Sequence, residues 1–162
     1  METIQATLLS MVVVHNEKTD EILLLNRPAK AGFPGYIGAG GKIEMTESFA
    51  EGAARELFEE TGLVVSESDL IFKGVDEFII QEDKYRYIVF NYLVKTYSGE
   101  LLLDPPEGEL KWVSRHKVMD LPMQSWFKRR LPKFFEEGTF EVSVEYEKDN
   151  HLPVKETIRN LK

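Results

Sequence analysis

Apolar and polar positions divide the chain into a short series of elements. Ala6 to His15 is dense in β-branched and aliphatic residues and predicts a strand, closed by a turn at the polar "NEKTD", Asn16 to Asp20. Glu21 to Asn26, "EILLLN", is a nearly continuous apolar run, as expected of a strand lying inside a sheet. Arg27 to Gly41 follows as a loop with two prolines and five glycines. Loops this long in compact domains usually carry function.

The period then changes from two to nearly four. Phe49, Ala53 and Leu57 recur every fourth residue, and Ala50, Ala54 and Phe58 are expected to widen that apolar face. "SFAE" matches a capping box with Ser48 as N-cap, and Gly62 supplies a C-terminal stop, so a helix is predicted over Phe49 to Glu60. Beyond it, Leu70 to Ile80 and Tyr85 to Thr96 predict a hairpin joined by "QEDK". "YSGE" predicts a turn into "LLL", "DPPEGEL" a loop and "KWV" a short strand. Arg115 to Met119 and Gln124 to Phe135 carry helical patterns, and Phe140 to Tyr146 alternates as a last strand. The tail, His151 to Lys162, shows no pattern that assigns it a partner; a short helix and a disordered end both stay open. Strands and helices interleave with a hairpin among them. The expected class is therefore α/β, a single domain with a mixed sheet covered by helices and a core over about residues 3–146.

Composition narrows the partners. The 162 residues suit one domain with a real core. With 20 basic and 28 acidic side chains the net charge is −8, which argues against a polymeric nucleic acid or a membrane surface as partner. An anionic small molecule would need local positive charge, and a bound cation is one source. Cysteine is absent, which excludes disulfides and thiolate chemistry. The first twenty residues lack a basic leader region, and their apolar run is too short to span a membrane, so a cytoplasmic protein is expected.

The predicted helix ends on "RELFEE". Residues three and four apart share a helix face, so Glu56, Glu59 and Glu60 form one carboxylate patch. Each like-charged neighbour pair costs about 0.2–0.5 kcal/mol in an isolated helix. Either solvent tolerates the patch or a hard divalent cation, which takes carboxylate and carbonyl oxygens, removes the repulsion.

The surrounding pattern decides between these. Gly41, five residues, Glu47, seven residues, then Arg55-Glu56-Leu57-Phe58-Glu59-Glu60-Thr61-Gly62-Leu63 matches every fixed position of the Nudix box. The chain thus resembles the Nudix hydrolases, and the likeness in strand order extends it to about Tyr146. The resemblance implies the Nudix fold, an α/β/α sandwich, and hydrolysis of a nucleoside diphosphate linked to a further group. It implies Mg²⁺ or Mn²⁺ held by Glu56, Glu59 and Glu60 with the Gly40 carbonyl. Either Glu59 or Glu60 orients or deprotonates the attacking water, and a Glu47–Arg55 ion pair ties loop to helix. A further metal ligand is expected from Glu107 or Glu109 in "PPEGELKW"; Glu107, five residues before Trp112, is preferred.

The stretch before the box resembles the MutT-like branch, which removes oxidised nucleotides such as 8-oxo-dGTP. That likeness places Arg27 and Lys42 near phosphate oxygens. Phe33, Tyr36 and Trp126 are candidate platforms for a base, and Gln124 a candidate reader of a purine edge. Two positions depart from the branch. Ile37 stands where an asparagine is frequent, and Phe127 and Lys128 follow Trp126 in place of an acidic pair. Base specificity therefore stays open, as do other nucleotide conjugates, a noncatalytic nucleotide-binding module, and monomer against homodimer.

Overall fold

The computed structural model describes residues 1–149 and 152–161. β1 (Gln5–Asn16) turns into β2 (Glu21–Arg27), with Val14 facing Leu23. On the N-terminal side of Val14 the two strands part. β3 (Gly35–Ile37) pairs with the end of β2, and residues 39–42 run beside β1, with Val12 accepting from Ala39 and Ser10 donating to the Gly41 carbonyl at 2.9 Å. The glycine-rich loop is thus partly strand, laid into the gap between β1 and β2.

α1 (Phe49–Thr61) follows. Ser48 Oγ accepts the Glu51 N–H at 3.1 Å, and Gly62 closes the helix in the left-handed region with φ of 86°. Phe58 does not widen the apolar face as expected. It is 54% exposed, while Ala53 and Leu57 are buried. A Cβ at Gly62 would lie 2.3 Å from the Glu100 carbonyl oxygen. Gly62→Ala is therefore expected to destabilise the fold by about 1–3 kcal/mol in chemical denaturation, without change in metal binding.

β4 (Leu63–Val64) pairs with β7 (Ser98–Gly99) in a small second sheet. β5 (Leu70–Ile80) and β6 (Tyr85–Val94) form the predicted hairpin, with a bulge between Phe72 and Gly74. β8 (Glu109–Ser114) pairs with β2 and is longer than the "KWV" expected. The pattern over Gln124–Phe135 is not one helix: α2 (Ser125–Arg130) gives way to a 3₁₀ turn over Leu131–Phe135, where Pro132 supplies no N–H to continue the α-helical ladder. Arg115–Met119 holds only the start of a 3₁₀ turn, Val118–Asp120. β9 (Thr139–Tyr146) pairs in parallel with β5.

The tail corrects the sequence reading. Pro153–Leu161 is a strand, β10, paired antiparallel with β9 at the sheet edge. His151 and Lys162, also in the predicted tail, lie outside the described residues. The main sheet has eight strands in the order β10-β9-β5-β6-β1-β2-β3, with β8 on β2. Alternation along β1 feeds two cores. Val12 and Val14 pack with Ala53 and Leu57 under α1, and Met11 and Val13 pack with Phe127, Leu131 and Phe134 under α2. This is the expected mixed sheet between helices. Among the described residues no helix is long and apolar enough to cross a membrane.

Candidate active site

The site is assembled where residues 39–42 meet the end of α1. Ala39 exchanges both main-chain hydrogen bonds with Val12, and the Gly41 carbonyl accepts from Ser10. The Gly40 N–H donates to Glu60 Oε2 at 2.9 Å, which ties this segment to the end of α1. Gly41 permits close approach: a Cβ there would stand 2.4 Å from Glu56 Cδ. Any larger residue would displace that carboxylate.

Arg55 organises the other side. Its Nε and Nη2 bond both oxygens of Glu47 at 2.6 and 2.8 Å, a fork matched to a carboxylate. Nη1 reaches Glu56 at 3.0 Å and Glu59 at 3.2 Å, and Nη2 also donates to the Lys42 carbonyl at 2.9 Å. The expected Glu47–Arg55 tie between loop and helix is present. The Glu44 N–H also donates to Glu47 at 2.8 Å. Arg55 first, and then that N–H, hold Glu47 below the usual carboxylate range.

The three box carboxylates differ in environment. Glu59 is exposed; Glu60 is buried at the core-facing edge of α1, next to Leu57. Burial pushes the Glu60 carboxyl up to about 8, against the Gly40 N–H, with Glu56 and Glu107 raising it further and Arg27 lowering it. Burial also raises Glu56, and Arg55 opposes that. Glu107 therefore faces the cluster electrostatically. Glu109 instead lies exposed in β8 opposite Asn26.

Among the described residues no three His, Cys, Asp or Glu side chains converge on one point ready to hold an ion. Glu56 and Glu59 turn to Arg55, and Glu60 to Gly40. The donor chemistry still fits a hard divalent cation. Carboxylates on adjacent helical turns stand beside the Gly40 main chain, and the buried Glu60 gains most by exchanging a proton for a cation. Arg55→Lys keeps the charge and loses the fork. It is expected to weaken Mn²⁺ binding by about 10–100-fold, read by electron paramagnetic resonance.

The substrate candidates divide. Tyr36 and Trp126 pack on the α2-side core with Leu9, Ile37, Phe78 and Met123; Phe78 meets the Trp126 ring edge-on at 5.3 Å. Phe33 stays 57% exposed, outside that group. The Gln124 amide donates to the Pro34 carbonyl at 2.9 Å, so part of its capacity is committed. Arg27 Nη2 donates to the Ala31 carbonyl at 3.2 Å, while its Nε is buried without a partner. Arg27 also lines a cavity of about 350 Å³ with Asn26, Pro34, Gly35, Pro122 and Met123. Lys42 is exposed beside Gly41. Sequence reasoning missed Phe78 and Met123. Alternation along β5 carried a signal for Phe78; Met123 has none short of tertiary contact.

The NUDIX domain family model matches residues 8–134. The chain belongs to the Nudix family. An uncharacterised Nudix hydrolase, YvcI of Bacillus subtilis, is 32% identical over 107 residues, 64% of this chain and 65% of that relative, just under two thirds of its length. The crystal structure of a mutator MutT protein from Bacillus halodurans superposes on this Nudix fold with a TM-score of 0.81 and 26% identity, over 94% of this chain and 97% of that one. A MutT protein from Methanosarcina mazei shares the fold at a TM-score of 0.64 and 24% identity, over 83% and 96% of the two chains.

Proposed function

We propose that this Nudix protein is a divalent-cation-dependent nucleotide pyrophosphohydrolase of the cytoplasm. Water attacks a phosphorus of a nucleoside triphosphate, a P–O anhydride bond breaks, and nucleoside monophosphate and pyrophosphate leave. The favoured substrate is an oxidised purine nucleotide such as 8-oxo-dGTP. The observation that carries the reading is the buried Glu60, held on the Gly40 N–H beside an Arg55 hub that gathers Glu47, Glu56 and Glu59. The likeness to the Bacillus halodurans MutT protein supports the MutT-like branch.

Mg²⁺ or Mn²⁺ would be held by Glu56, Glu59, Glu60 and the Gly40 carbonyl, with Glu107 completing the set. The cation supplies charge that draws electron density from a phosphoryl oxygen and makes water a stronger nucleophile at neutral pH. The chain's own groups do the rest. Glu59 or Glu60 takes the proton of the attacking water. Arg55 and Glu47 fix the carboxylates in register, and Arg27 and Lys42 balance charge on the phosphates. Tyr36 and Trp126, with Phe78 behind, offer flat faces to a base.

The test is a panel of dGTP, 8-oxo-dGTP, 2-oxo-dATP, ordinary triphosphates, ADP-ribose and diadenosine polyphosphates, with and without Mg²⁺ or Mn²⁺. Highest kcat/KM on 8-oxo-dGTP, with pyrophosphate released only when the cation is present, is the expected result. A preference for ADP-ribose or a dinucleotide would keep the carboxylate site and overturn the substrate. Binding without turnover would mark a noncatalytic module.

A further inference from the structure

A cavity of about 300 Å³ opens on the α2 side of the sheet, walled by Ile71, Leu93, Phe134 and Phe135. It lies at the His15 end of β1. The carboxylate site meets β1 at Ser10, five residues earlier and so about 17 Å away at 3.3 Å per residue. Three basic side chains, Lys73, Lys95 and Arg115, stand on its wall against one acidic neighbour, Glu136. In a chain of net charge −8 that is an unusual gathering of positive charge around one cavity.

Each basic group has a traceable reason to be there. Lys73 is the extra residue of the β5 bulge, which re-aims a side chain that regular pairing would place elsewhere. It is only 7% exposed, and its ammonium donates to the Glu136 and Gly138 carbonyls at 2.7 Å each, leaving one of three protons. Burial, then the charge of Lys95, lowers its proton affinity, so the two lysines sense each other. Arg115 is committed to Asp20 at 2.8 and 3.3 Å and lies over the Phe135 ring. Among the described residues Lys95 pairs with Glu17, at 3.6 Å and exposed to solvent. Asp20 thus offsets Arg115, Glu17 stands by Lys95, and the Glu136 carboxylate pairs with Lys133 at 3.8 Å, leaving Lys73, held by main-chain carbonyls, as the charge with no carboxylate ion pair among the described residues. His15, on the same wall, bonds Asp20 through Nε2 at 2.8 Å while its Nδ1 is buried without a partner.

We propose that this cavity is a second binding site, for a small organic anion: a phosphate monoester or carboxylate on a single ring or short hydrocarbon. Lys73 and Lys95 meet the head group, and Ile71 and Phe135 the body. The volume stands at the lower bound of ligand pockets, which sets that size. A doubly charged head group also relieves the Lys73–Lys95 repulsion.

The experiment is a ¹H–¹⁵N NMR titration of the full chain, in chelator, with phenyl phosphate, benzoate and inorganic phosphate. The expected result is saturable shifts at Lys73, Lys95 and Glu136 amides and at the His15 imidazole. Phenyl phosphate or benzoate should bind about tenfold tighter than inorganic phosphate, and Lys95→Gln should weaken binding about tenfold. Whichever organic anion binds tighter names the head group. Arg27→Ala should leave this binding unchanged, and Lys95→Gln should leave nucleotide hydrolysis unchanged. Shifts that never saturate, or that fall at Arg27 and Lys42 instead, overturn the site. So does equal affinity in Lys95→Gln and Lys95→Glu. The His15 signals report on the unmodified protein and need no variant.

Discussion

Glu60→Gln is expected to lower kcat/KM for the favoured nucleotide by about three orders of magnitude and, under chelation, to raise the melting temperature near pH 8. The two effects have one cause. Glu60 is the buried member of the carboxylate set, and its folded-state value of about 8 lies above the ordinary 4.5. For an acid shifted upward, the unfolded chain binds fewer protons than the fold between those two values. The stability it contributes is full below about pH 4.5 and is lost as pH rises through about 8. Glutamine has no charge to bury and keeps an oxygen for the Gly40 N–H. The stability gap between variant and wild type should open from pH 5 to pH 8 and reach a few kcal/mol, because each tenfold change in proton affinity is worth about 1.4 kcal/mol. Mn²⁺ or Mg²⁺ should stabilise wild type far more than the variant, because only a carboxylate can exchange its proton for a cation. Full activity in Glu60→Gln, with Glu59→Gln also active, would remove both from the chemistry. A flat pH profile of the gap would remove the burial argument.

Arg130→Ala is expected to cost about 3–5 kcal/mol, the loss typical when one partner of a buried ion pair is deleted. Arg130 and Asp76 are both buried. Nε donates to Asp76 Oδ2 at 3.1 Å, and Asn91 donates to Oδ1 at 2.8 Å. Burial alone raises the Asp76 carboxyl, and Arg130 is the largest opposing influence. Without Arg130 that carboxyl rises further. A raised acid loses stability as pH climbs, so the deficit should be larger at pH 8 than at pH 5 in urea titrations. The double replacement Asp76→Leu with Arg130→Met should recover most of the loss, because paired apolar side chains of similar size leave no charge stranded. If the double variant is no more stable than Arg130→Ala, the pair matters for its geometry rather than its charge.

The sequence carried the box chemistry because fixed spacings along one helix turn directly into shared faces: Arg55 reaches Glu59 across the i, i+4 spacing. It misplaced Phe58, since helical periodicity alone cannot say how wide the covering sheet is. That Glu60 is buried while Glu59 is exposed depends on residues 39–42 lying against β1, a contact no local pattern announces. β10 was illegible for a physical reason. It is exposed along nearly its whole length, so it has no apolar alternation, and main-chain pairing with β9 places it. Glu156 then bonds Arg129 and Arg130, each at 3.4 Å. The Asp76–Arg130 pair was hidden because Asp76 stands next to Glu77 in β5, and no local pattern says which of the two is buried or what partners it.

The parallel pairing of β1 with β6 bears on how the site comes into being. Gln5 faces Tyr85 and Val14 faces Val94, a constant separation of about eighty residues. β2, the glycine-rich segment and α1 all lie inside the loop which that pairing closes. Closing so long a segment costs chain entropy before any contact rewards it, and such topologies fold slowly. The carboxylate helix can form early on its own capping, but β1, on which it packs, is not held on its other edge until β6 pairs with it. In stopped-flow refolding, the capacity to bind Mn²⁺ should therefore emerge with the slowest phase, together with protection of the β1 amides.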